Sequence, residues 1–131
     1  ILSPSSLNLI QAPILSNLVA PDTVTLPPSP YSVLFVIHVA VADSDGRSDI
    51  DKVYFRNLDS PSDTNKQFLL YDDGIKNEVK YDSAAVDGIY SGRFQLPWNA
   101  PAQPYRFEFV AVDQLGFTSN KILHTMVVRQ P

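Results

Sequence analysis

Residues 71–92, YDDGIKNEVKYDSAAVDGIYSG, place Asp72, Asp73, Glu78, Asp82 and Asp87 in one stretch with three glycines. Carboxylates at this density can hold a hard cation. Calcium takes about six to eight oxygen ligands at about 2.3–2.6 Å, and acidic loops with glycine at their tight turns suit it. A second stretch, ADSDGRSDID at 42–51, adds Asp43, Asp45, Asp49 and Asp51, and Asp113 opens a third, DQLGFTSN at 113–120. If a cation is held, Asp72, Asp73, Asp82 and Asp87 are its first candidate ligands, and Asp43, Asp45 and Asp113 the next. The spacing in DSDGRSD is not that of a complete EF-hand loop. Aspartates also make turns on their own account, by accepting backbone N–H groups two residues on, and Gly46, Gly74 and Gly88 can supply positive φ. Both readings of the acids stay open at this point.

Other chemistry is thinly represented. The chain has no cysteine, so disulfides, thiolate metal sites and a cysteine nucleophile are excluded. Its two histidines, His38 and His124, lie in strand-like runs with no acid close by in sequence, and the expectation is rim or solvent-facing residues. Nucleophile-elbow, zinc-protease, phosphate-loop and dinucleotide motifs are absent. A pair of carboxylates flanking a cleft hydrolyses glycosides in some enzymes, but acids confined to turn loops do not imply one. Trp98, in LPWNAPAQP, is the single tryptophan. The usual burial of this residue predicts a plug at the base of the fold beside Tyr105. An exposed Trp98 would instead be a contact for a stacked sugar ring.

The 131 residues carry 10 Lys and Arg against 14 Asp and Glu, a formal net charge of −4. Without a basic stripe there is nothing to neutralise phosphates, which excludes nucleic acid as a partner and disfavours anionic membranes. The longest apolar run, VLFVIHVAVA at 33–42, has about half the length that a membrane-spanning helix needs, so no membrane insertion is expected.

Strands must position these residues. Val33, Phe35, Ile37, Val39 and Val41 share one face of a run whose other face is also mostly apolar, which predicts a central strand. In YRFEFVAV, Tyr105, Phe107, Phe109 and Ala111 point one way, and Arg106 and Glu108 the other. In IYSGRFQL, Tyr90, Phe94 and Leu96 are expected inside, with Ser91, Arg93 and Gln95 outside. Weaker runs cover 14–19, 50–58, 66–71 and 121–129. The pattern predicts an all-β immunoglobulin-like sandwich of about seven antiparallel strands over residues 13–131, preceded by a leading segment or linker at 1–12. Tyr105, at the start of the sixth strand, is expected to close a tyrosine corner through a hydroxyl bond to the backbone upstream. If neighbouring strands run antiparallel, the three acidic connections fall at one pole, which collects ten of the fourteen acids. Trp98 falls at the other.

Five stretches carry a family resemblance: APILSNLVAPDTV (12–24), VADSDGRSDIDKVYF (41–55), LLYDDG (69–74), YDSAAVDGIYSG (81–92) and YRFEFVAVDQLGFTSN (105–120). Together they resemble the bacterial immunoglobulin-like, or cadherin-like, modules of exported, surface-attached proteins, which often show D-x-D-G-x-x-D-I and DDG followed by GD-x-x-A-GDGIYS. Here Tyr81 and Val86 stand where that pattern has glycines. The resemblance implies a non-catalytic spacing, stabilising or presenting module of a larger protein, a lipoprotein among the forms it could take. It would sit outside the cell, on its surface or in the periplasm, beside neighbouring domains of the same polypeptide. The alternatives are a module binding carbohydrate or protein, and an accessory domain of a secreted enzyme.

Overall fold

The computed structural model describes residues 12–43, 50–60, 65–72 and 88–131. Eight strands follow in order: β1 (Ile14–Val19), β2 (Thr23–Thr25), β3 (Ser32–Ala42), β4 (Ile50–Asn57), β5 (Phe68–Leu70), β6 (Ile89–Pro97), β7 (Pro104–Asp113) and β8 (Ile122–Arg129). No helix occurs among the described residues. The strands form two sheets, one in the order β1-β3-β6 and the other β2-β8-β7-β4-β5. This is the expected immunoglobulin-like sandwich, with β3 central in the smaller sheet. The leading segment proposed for 1–12 lies, save for Ala12, outside the described residues.

One departure from the expected strand plan has a local cause. The first edge strand is split between the sheets. Asn17, with φ of 51°, bulges β1 away from β3 between Ser16 and Val19, a conformation asparagine tolerates better than most residues. Pro21 then withholds a ladder donor. The chain crosses over, and β2 pairs in parallel with β8, Thr23 beside Val127 and Thr25 beside Arg129. The sandwich therefore has an eighth strand, and one pair is not antiparallel. Among the described residues β5 pairs with β4, and Tyr71 just after it forms an isolated antiparallel bridge with Ser91 of β6.

The alternation read from sequence holds in β7, where Tyr105, Phe107, Phe109 and Ala111 are all buried. Phe55 on β4 is the hub of the core. Its ring centroid lies 4.9 Å from those of Phe94 and Phe107, 5.0 Å from Phe68 and 5.1 Å from Phe109, in the tilted, stacked and edge-on arrangements that aromatic quadrupoles favour. Gly92 makes room for this cluster: a Cβ there would stand 2.7 Å from the Phe94 ring and 2.9 Å from Leu70. Among the described residues no second layer covers the outer face of β3, and Leu34 is 54% exposed. Ser91 is outward by parity yet buried, with His38 and Tyr71 bonded to it.

Asn120 ties the two sheets together just before β8. Its side-chain amide accepts the Leu15 N–H at 2.8 Å and donates to the Leu15 carbonyl at 3.1 Å, replacing a missing strand residue.

Candidate functional site

The strand ends place Asp43, Asp72 and Asp113 at one pole, as parity predicted. Ala42 pairs with Ile14 and Ile50 with Asp113, while the Val41 N–H donates to Gly88 O at 2.9 Å. Each acid can then be read from its contacts. Asp72 Oδ2 accepts the Gly88 N–H at 2.9 Å, joining the two ends of the acidic stretch where Gly88 turns with φ of 80°. Asp113 is 2% exposed, and its Oδ1 accepts two turn N–H groups, from Leu115 at 2.9 Å and Phe117 at 2.8 Å. Its Oδ2 is buried with no hydrogen-bond partner. Asp43 is half-buried. Asp45, Asp73, Asp82 and Asp87 lie outside the described residues. Among the described residues no group of three or more His, Cys, Asp or Glu side chains is arranged to hold a metal ion. At Asp72 and Asp113, then, the carboxylates organise turns.

The opposite pole is closed by an aromatic residue. Tyr105 donates its hydroxyl to Pro101 O at 2.8 Å, the expected tyrosine corner. Loss of water around the phenol raises its pKa above the usual value. Next to it, Asp59 accepts the Arg106 backbone N–H at 2.8 Å and two guanidinium bonds, from Nε at 3.1 Å and Nη2 at 2.9 Å. The Arg106 hydrogen bonds hold the Asp59 carboxyl below its ordinary range. Sequence reading left Asp59 unassigned, because its partner is 47 residues away and no local pattern marks the pair.

Trp98 is not the plug expected of it. It is 44% exposed, while Tyr105, Leu26 and Met126 fill this end of the core. The β6–β7 connection turns at Pro97–Ala100, with Ala100 N bonded to Pro97 O at 3.0 Å, and this lifts Trp98 to the surface. The Trp98 N–H donates to Tyr31 O at 3.0 Å, which continues the β3–β6 register by one pair.

Neither histidine is simply solvent-facing. His38 Nδ1 is 2.6 Å from Ser91 Oγ, and His124 Nε2 is 2.9 Å from Pro21 O. They belong to different sheets, His38 to β3 and His124 to β8. The His38–Ser91 pair does not make a nucleophile, because Ser91 is 1% exposed. No helix among the described residues is long and apolar enough to cross a membrane.

Two sheets packed through their inner faces, a split first strand and a tyrosine corner define an immunoglobulin-like β-sandwich. No family model matches the chain, and no curated protein does. Solved structures do. The chain is similar to the PKD domain of an M14-like peptidase from a Thermoplasmatales archaeon, with 13% identity and a TM-score of 0.53 over 91% of this chain and 97% of that one. It is also similar to a structure from the aggregative adherence fimbriae of enteroaggregative Escherichia coli, with 15% identity and a TM-score of 0.54 over 92% and 100%. The fibronectin(III)-like modules of Clostridium thermocellum CbhA match at 17% identity with a TM-score of 0.51; 92% of this chain covers 48% of that one. At these identities the likeness is one of fold, and at that level the resemblance to bacterial immunoglobulin-like modules holds.

Proposed function

We propose that this chain is a non-catalytic module that spaces, stabilises or presents neighbouring domains of a larger bacterial protein, outside the cell, at its surface or in the periplasm. One observation carries the reading: β1 enters the sandwich at the acidic pole and β8 leaves it at the opposite pole. Segments joined through the module are therefore held apart by its length, about 35 Å for the 11 residues of β3 at the usual strand rise. That the structural neighbours include a PKD domain of a peptidase, modules of CbhA and a component of adherence fimbriae supports a place within a larger protein or assembly. The test is replacement in the full-length product. An unrelated sandwich of equal length with ends at opposite poles should restore the neighbouring domains' function, whereas deletion should not. Failure of the replacement to restore function overturns the reading.

Calcium at the acidic pole belongs to the same proposal, with Asp72, Asp73, Asp82 and Asp87 as ligands. The buried, partnerless Oδ2 of Asp113 supports a cation nearby. A ligand bound only by the folded state adds about 2.7 kcal/mol at a hundredfold excess over Kd. Thermal unfolding in EDTA, calcium and magnesium at matched ionic strength should show a calcium-specific rise that is lost in Asp82→Asn and Asp87→Asn. Equal melting in all three conditions leaves the acids as turn formers.

A further inference from the structure

We propose that the pole opposite the acids carries a binding site for a neutral saccharide, built from Trp98, Tyr31 and the cleft beside them. Two exposed aromatic residues stand there as a cross-strand pair, Trp98 at 44% and Tyr31 at 65% exposure. Residues directly opposite in an antiparallel pair leave the ribbon on the same side, so both aromatics are offered on one side. Both are fixed through backbone: Tyr31 N donates to Pro28 O at 2.9 Å, Trp98 N to Tyr31 O, and the Pro97–Ala100 turn follows at once. Neither position is required by the core, which Tyr105 and its neighbours already close.

The second observation is the cleft. Pro97 and Asn99, the residues on either side of Trp98, line an open cavity of about 440 Å³, within the usual range for small-molecule sites; Trp98 and Tyr31 stand outside its lining, as a platform next to it. Its floor is apolar, with Leu96, Phe107 and Met126, and its polar groups are Asn57, Ser60, Asn99 and the Tyr105 hydroxyl, which is committed to Pro101 O. The Asn57 amide is held in place by the Asp59 N–H, which donates to Oδ1 at 3.1 Å. Among the described residues no charged side chain lines this cavity, and Asp59 beside it is engaged by Arg106. A pyranose ring matches this chemistry. Its C–H face stacks on an indole, and its hydroxyls both donate to and accept from amides and a serine hydroxyl. An anionic ligand or a phosphate backbone would find no cation among the described lining residues, and the nearby Arg106 is already paired with Asp59.

Trp98 is the only tryptophan among six tyrosines, so fluorescence excited at the red edge, beyond tyrosine absorption, reports on this site in the unlabelled chain. The full chain is titrated with cellohexaose, xylohexaose, mannohexaose and chitohexaose up to about 10 mM, since Kd values near 1 mM are readable this way. At least one should change the emission saturably. By calorimetry, Trp98→Ala should abolish that binding, Trp98→Tyr should keep part of it, and Tyr31→Ala and Asn99→Ala should each weaken it about tenfold. Unfolding midpoints of the variants close to that of the parent chain would show that lost binding is not lost fold. If no oligosaccharide alters the emission, the proposal fails. It also fails if Tyr31→Ala and Asn99→Ala leave binding unchanged, or if the emission shifts only with protein concentration, which would make the patch a contact between copies.

Discussion

The two poles of the sandwich solve one problem by opposite means. Each must join strands from different sheets and satisfy the backbone where the ladders stop. At the acidic pole the work is done by carboxylate oxygens: Asp72 on Gly88, and Asp113 on Leu115 and Phe117. At the other pole a buried phenol closes the core and returns one hydroxyl to Pro101, with the Asp59–Arg106 pair alongside. Ordered turns at the first pole depend on short-range polar geometry, and closure at the second on burial. The difference teaches where each pole should be vulnerable.

The largest effect should come from Tyr105→Ala. Losing a buried aromatic ring costs about 3–5 kcal/mol in urea unfolding, while Tyr105→Phe isolates the hydroxyl at about 1–3 kcal/mol. A Tyr105→Phe variant as stable as the parent would show that the corner bond adds nothing to the burial. Next comes Asp113→Ala at the acidic pole, expected to cost about 1–2 kcal/mol because the freed N–H groups lie on exposed residues and can bond to water. Hydrogen exchange should become faster at Leu115 and Phe117 and stay unchanged around Tyr105. Spread of the change to Tyr105 would mean that the poles are coupled.

The smallest effect concerns acid. The folded-state pKa of Asp59 lies below its ordinary value of 3.8, so its contribution is present above that value. It is lost as pH falls through the folded pKa. Asp59→Asn should slightly reduce the loss of stability as pH falls below the ordinary Asp59 value of 3.8 and change stability at neutral pH by a similarly small amount, given the weakness of solvent-accessible ion pairs. An acid limb identical to that of the parent chain would remove Asp59 from the account.

What could be read from sequence follows the range of each interaction. The faces of β7 and the Tyr105 corner were legible because they rest on period-two alternation and on a tyrosine directly after Pro104. The shared pole of Asp43, Asp72 and Asp113 followed from strand parity alone. The parallel β2 was not legible: three residues, Thr23–Thr25, hold no period, and their partner lies about a hundred positions on. Trp98 was misjudged because average burial says nothing of a turn that lifts one residue clear of the core. Ser91 was placed outside by alternation but is covered by the Tyr71 bridge, a tertiary contact that parity does not contain.

The parallel pairing of β2 with β8 has a mechanical meaning. A pull applied through the chain draws β2 toward the acidic pole, where β1 enters, and β8 toward the opposite one, where it leaves. The two strands are thus loaded along their length in opposite directions. Their cross-links, including Val127 N to Asp22 O at 2.8 Å and Leu26 N to Arg129 O at 2.9 Å, bear the load together. An antiparallel hairpin pulled from its open end would give way one bond at a time. Here the rungs must yield in shear as a set, so a short strand that sequence periodicity could not detect becomes the latch of the module under tension.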